Sequence, residues 1–158
     1  MESRINAFKA APKAYQAMVA LQAYTNSCGL DAPMMELVKL RASQINGCAY
    51  CLDMHTKDAR AAGETEQRLY LLDAWREAPF YSDRERAALE WTEALTKITE
   101  GHVPDAVYAS VKPHFSDEEL ANLSLAIVTI NGWNRLAIAF RAEPGHYQPA
   151  KAHVQTTS

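Results

Sequence analysis

Residues 36–63 read ELVKLRASQINGCAYCLDMHTKDARAAG. A helical run ends at Asn46-Gly47, because glycine takes the left-handed conformation that closes a helix at little cost. A new helix is predicted from Cys48, or just beside it, to Gly63. Along it Cys48, Cys51 and His55 fall at i, i+3 and i+7, so the three side chains share one face. Cys51 and His55, at i and i+4, are near neighbours. Cys48 and Cys51 are expected to have Cα atoms about 5–6 Å apart, inside the range a disulfide spans. Such a pair opens and closes with little backbone movement.

The position also activates a thiol. A helix N-terminus offers unpaired N–H groups and the positive end of the macrodipole, and both stabilise a thiolate, which is the nucleophilic form. His55 can accept a thiol proton or place a positive charge nearby. Peroxide reduction uses these parts: a thiolate attacks the O–O bond, the leaving alkoxide takes a proton, and a second thiol resolves the sulfenic acid. Glu36 is a candidate for the far end of a proton relay, since the turn at Asn46-Gly47 folds its helix back against the next one. The dipole points to Cys48 as the low-pKa thiol, while the neighbouring His55 points to Cys51.

Outward from this stretch the punctuation is helical. A helix over about 12–25 carries Ala14, Met18 and Leu21 with Tyr15 beside them, and Asn26, Ser27 and Gly29 end it. Asp31 and Pro33 open the helix of Glu36, with Val38, Ala42 and Ile45 at helical spacing. A short helix covers about 66–75, and Pro79 breaks the chain. Ser82-Asp83-Arg84-Glu85 is a capping box before Ala88, Leu89, Trp91 and Leu95. Pro104 starts a short helix that Pro113 closes. Ser116-Asp117-Glu118-Glu119 is a second capping box, opening a long helix to about Arg141, stopped by Glu143-Pro144-Gly145. That helix is apolar through Leu123, Leu125, Ile127, Val128 and Ile130, so it is either the central helix or part of a subunit interface. No segment shows sustained strand alternation. The expectation is an all-α, single-domain bundle of six to seven helices over residues 1–158, with a loose tail from about 146.

The totals narrow the class. The chain has 158 residues, 48% hydrophobic and 22% charged, which is globular composition. A net charge of -3 argues against nucleic acid as a partner. No apolar run is expected to reach the roughly 20 residues of a membrane span, and Met1–Lys9 lacks the apolar core of a signal peptide, so no membrane partner and a cytoplasmic location are expected. Three cysteines, an odd number, do not read as a secreted disulfide framework.

Glu36, Arg41, Ser43, Gly47, Cys48, Tyr50, Cys51, His55, Ala59, Arg60 and Gly63, with the later Asn134-Arg135, resemble the core motif of the alkylhydroperoxidase D-like (AhpD-like) family within the carboxymuconolactone decarboxylase superfamily. The resemblance implies an all-α fold, homo-oligomers (trimers or hexamers), and antioxidant peroxidase activity through a redox-active Cys48–Cys51 disulfide. It implies Cys51 as the attacking cysteine, Cys48 as the resolving one, and Glu36 and His55 as the proton relay. Some members carry a histidine between the cysteines where this chain has Tyr50, a possible supporting residue. No bound cofactor or metal is implied, and the electrons come from an external dithiol or thiol protein. With His55 beside it, Cys51 is the preferred nucleophile.

Other readings stand beside this one. The superfamily includes a lactone decarboxylase that works without the cysteine pair. A redox sensor is a non-enzymatic alternative, as is a zinc module built on Cys48, Cys51, His55 and Glu36 or Cys28. Glu36 also suits the first turn of its helix electrostatically. Tyr50, Cys28, Trp75, Trp91 and Trp133 read as core, and Asp58 and Arg60 as solvated or interhelical ion pairs. His102, His114, His146 and His153 read as surface residues, and Asn134 and Arg135 as inter-helix or pocket polar groups.

Overall fold

Residues 2–149, the part of the chain that the computed structural model describes, hold eight α-helices and no strand. A single turn, α1 (Ala7–Ala10), is capped by Asn6 and leads into α2 (Pro12–Asn26), which has Pro in its first turn. The next helix, α3 (Ala32–Asn46), starts at Asp31, whose carboxylate accepts from the Met34 amide at 3.0 Å. Gly47, at φ 66°, closes it, with its amide on Gln44 O and the Cys48 amide on Ser43 O. The chain then turns into α4 (Ala49–Ala61), for which Cys48 is the N-cap residue.

Beyond α4 lie α5 (Glu66–Tyr70), α6 (Asp83–Thr96), α7 (Asp105–Val111) and α8 (Asp117–Phe140). Both predicted capping boxes form, at Ser82/Glu85 and Ser116/Glu119. The helix expected over 66–75 breaks after Tyr70 and continues as a 3₁₀ turn, Leu72–Ala74, that buries Leu72 and Trp75. The end of α8 is set by Arg141 in the left-handed conformation (φ 58°), before Pro144 is reached. The count of eight exceeds the expected six to seven because the single turn α1 carries no apolar periodicity of its own.

The central element is α3, not α8. Every residue from Met34 to Ser43 except Glu36 is buried, and α3 packs against α4, α6 and α8. One core layer joins Met34, Met35 and Val38 to Ala88, Trp91, Leu123 and Ile127. The other joins Leu37 and Leu40 to Ala59, Leu72, Trp75, Tyr81 and Leu89. The charges on α3 survive burial because they are paired. Arg41 Nε donates to Glu93 Oε1 at 2.8 Å, its Nη1 meets Asp73, and the Trp75 indole donates to the same Glu93 oxygen at 2.8 Å.

Two expectations are corrected. By length and mean hydropathy (1.3) α8 does reach the range of a membrane span. It nonetheless packs on α2, α3 and α6 and turns Asn122, Asn131 and Asn134 inward, as a core helix does. The predicted tail is tied down at its start, through Tyr147. Lys57 Nζ donates to the carbonyls of Gly145 (3.2 Å) and Tyr147 (3.1 Å), and Tyr147 OH donates to Asp58 at 2.7 Å. The remainder of the predicted tail, with His153, lies outside the described residues.

Candidate active site

The turn between α3 and α4 places the cysteines. Cys48 is the N-cap residue of α4 and so stands at the start of that helix. Both thiols are free and buried, with sulfurs 2.9 Å apart. The hydrogen bond from Cys51 brings the Cys48 thiol down to about 7 against the opposing effect of burial, helped by the Cys51 and Tyr50 amides and by Asn134. The Cys51 thiol is pushed upward by its hydrogen bond to Cys48, by burial and by the Cys48 thiolate charge. The reduced pair therefore loses its first proton at Cys48 and keeps the second on Cys51.

Asn134 completes the back of this site. It is fully buried on α8, donates from Nδ2 to Ser43 Oγ at 3.0 Å, and accepts from Asn46 Nδ2 at 2.8 Å. Ser43 Oγ in turn donates to Lys39 O at 2.8 Å. The thiol pair is thus braced by a polar cluster drawn from α3 and α8, all of it satisfied.

On the other side of Cys51 the relay residues meet. Glu36 Oε2 lies 3.0 Å from His55 Nδ1, and Glu36 Oε1 lies 2.8 Å from Lys39 Nζ. Burial raises the Glu36 carboxyl, but His55 and Lys39 together outweigh it and hold the group below its usual value. A carboxylate on Nδ1 fixes the ring and leaves Nε2 as the working nitrogen.

Cys51, His55, Glu36 and Tyr50 all line one cavity of about 570 Å³, whereas Cys48 lies behind Cys51 and does not. The opposite wall is apolar and aromatic. Phe8, Tyr15 and Trp133 pack together with ring centroids 4.3–6.3 Å apart, and Val19, Met54, Leu136 and Phe140 continue the surface. Trp133, expected in the core, belongs to this wall. Asp58 also faces the cavity and accepts from Tyr147, rather than pairing in solvent, while Arg60 forms an exposed bridge to Glu66 at 3.4 Å. Cys28 is half-buried, its thiol on Thr25 O at 3.2 Å.

Among the described residues, the side chains that converge as possible metal ligands are Glu36, His55 and Asp58, within 4.8 Å of one another. The cysteine sulfurs are not in that group, and Lys39 and Tyr147 already occupy its two carboxylates.

Sequence reasoning brought out four of the cavity residues and the cysteine behind them. It missed Lys39, Asp58 and Tyr147. Lys39 carries the same helical spacing to Glu36 that any surface pair would, and nothing local connects Tyr147 to α4.

Residues 12–94 match the family model described as the carboxymuconolactone decarboxylase family. The uncharacterized protein YdfG of Bacillus subtilis is 46% identical over 139 residues, covering 88% of this chain and 95% of its own. A solved structure of a protein of unknown function from Agrobacterium tumefaciens, assigned without an established activity to AhpD-type antioxidant defence, superposes with a TM-score of 0.89 at 46% identity, covering 92% of this chain and all (100%) of that one. The debrominase Bmp8, solved in complex with 2,3,4-tribromopyrrole, shares the fold at a TM-score of 0.76 and 16% identity, over 88% of this chain and 74% of its own.

Proposed function

The chain belongs to the carboxymuconolactone decarboxylase family and has an AhpD-like fold, and on that premise we propose that it is a thiol-dependent peroxidase acting on organic hydroperoxides through Cys51 and Cys48. The observation that carries this reading is one arrangement: two reduced sulfurs in contact at 2.9 Å, with only the one beside His55 and Glu36 lining an apolar cavity. A lactone decarboxylase would leave that pair idle.

In this reading Cys51 is the nucleophile, because it faces the cavity. The Cys48 thiolate accepts the Cys51 proton, and the Cys51 thiolate attacks the outer peroxide oxygen. An S–O bond forms as the O–O bond breaks, and the alkoxide takes a proton from the His55 imidazolium, which Glu36 stabilises and orients. The Cys48 sulfur then displaces oxygen from the Cys51 sulfenic acid. Its thiol proton leaves with that oxygen as water, and the S–S bond closes. An external dithiol or thiol protein returns two electrons, and re-ionisation of Cys48 supplies the proton that recharges His55. The low Cys48 pKa also makes it a good leaving thiolate in that exchange.

Substrate size follows from the wall. A cavity of about 570 Å³ lined by Phe8, Tyr15, Met54, Trp133 and Phe140 accommodates a hydrocarbon body that hydrogen peroxide lacks. The exposed Leu125 and Val128 on the outer face of α8 support a homo-oligomer in the same reading.

The test is consumption of cumene hydroperoxide under dithiothreitol. The wild type should turn over, Cys51→Ser should not react, and Cys48→Ser should stop after one oxidation. A wild type that does not turn over while its thiols remain titratable would remove the reading.

A further inference from the structure

Lys39 follows Glu36 by one turn on α3 and reaches the cavity wall from within the core. It is 8% exposed, where an ammonium needs partners to remain charged. Its Nζ sits 2.8 Å from Glu36 Oε1 and 3.2 Å from Asn26 Oδ1. The other oxygen of the same carboxylate is the one that meets His55 Nδ1 at 3.0 Å. One carboxylate is therefore divided between an ammonium and an imidazole. A surface i,i+3 ion pair explains neither the burial nor the second partner, Asn26 of α2.

We infer that Lys39 is a positioning residue of the proton relay, fixing the Glu36 carboxylate for His55 and offsetting part of its charge. With one carboxylate oxygen held by Lys39, itself anchored on Asn26, the other stays aimed at His55 Nδ1 and the ring keeps its orientation. The catalytic consequence rests on the peroxidase reading, while the charge coupling belongs to the three side chains themselves.

The charged and titratable surroundings of the trio are limited. Tyr50, Cys51 and Asp58 face it from α4, Tyr15 from α2, and Tyr147 from the segment after α8. Glu64 and Arg68 stand across a smaller cleft behind Glu36. From α8 come Trp133, Leu136, Ala137 and Phe140, none of which titrates.

The experiment follows the His55 Nδ1 proton by NMR at one fixed pH in wild type, Lys39→Gln and Lys39→Arg, with the resonance assigned by its loss in His55→Gln. Lys39→Met is a second neutral variant should Lys39→Gln not fold. In wild type the proton held against Glu36 should give a sharp, exchange-protected downfield resonance, and the neutral variant should broaden or lose it as the carboxylate is released. Lys39→Arg should keep it, and peroxide turnover should fall in the neutral variant and be rescued in Lys39→Arg. An unchanged resonance in the neutral variant, or an equal loss in Lys39→Arg, overturns the proposal. A wild type with no turnover removes the peroxidase reading alone, and the imidazole resonance still decides the role of Lys39.

Discussion

Glu36 on α3 and His55 on α4 meet through Oε2 and Nδ1 at 3.0 Å, across the helix pair that Gly47 folds together. Nineteen residues apart in sequence, they form the acid–base half of a site whose sulfur half is only one turn away.

Removing that half should separate proton transfer from thiol chemistry. His55→Ala is expected to lower kcat/KM for an organic hydroperoxide by about 10²-fold, the usual worth of a positioned acid. Glu36→Gln should cost about 10-fold. Steady-state rates across pH check both.

The reduced pair should titrate at its helix N-terminus. Absorbance of the thiolate is expected to rise with a midpoint near pH 7 in wild type, and that step should vanish in Cys48→Ser. Because the folded Cys48 pKa lies below the ordinary value of 9.0, the unfolded chain binds more protons between about 7 and 9. The reduced protein should thus gain stability as pH rises through that window and lose the gain as pH falls through 7. Thermal melts of the reduced protein measure this. Above the ordinary thiol value the raised Cys51 pKa acts in the opposite sense.

Asn134 supports the thiolate and the helix packing together. Asn134→Ala removes one hydrogen bond each from Ser43 and Asn46 at a fully buried position, leaving Ser43 on Lys39 O and Asn46 on Asn131, so it should cost about 1–3 kcal/mol in urea unfolding. It should also raise the Cys48 midpoint, since Asn134 is among the groups that hold that thiol down.

The cavity wall should select substrates by bulk. Met54 lines the cavity on the same helix as Cys51, and Met54→Trp reduces the space in front of the thiol. Turnover of cumene hydroperoxide should fall by about 10-fold or more while that of hydrogen peroxide changes little, as rates on the two substrates would show.

The helices and the cysteine–histidine face were legible in the sequence because their signals are local: capping boxes at Ser82 and Ser116, glycine at 47, and spacing of three and four residues. The identity of the central helix was not. Glu36, Lys39 and Arg41 give α3 the look of a surface helix, and only the distant partners Glu93 and Asp73, with Asn26, make its burial affordable. Conversely α8, the most apolar helix, leaves Leu125 and Val128 exposed and buries asparagines. The aromatic wall was hidden for the same reason. Phe8, Tyr15 and Trp133 come from three helices, and no periodicity relates them.

The most direct measurement is a single turnover without reductant. Reduced protein is mixed with one equivalent of cumene hydroperoxide, and the alcohol formed is compared with the thiols lost from Cys48 and Cys51, located by peptide mass spectrometry. The account predicts one alcohol for each Cys48–Cys51 disulfide, with Cys28 still free. Intact thiols with no alcohol formed, or a disulfide through Cys28, would contradict it.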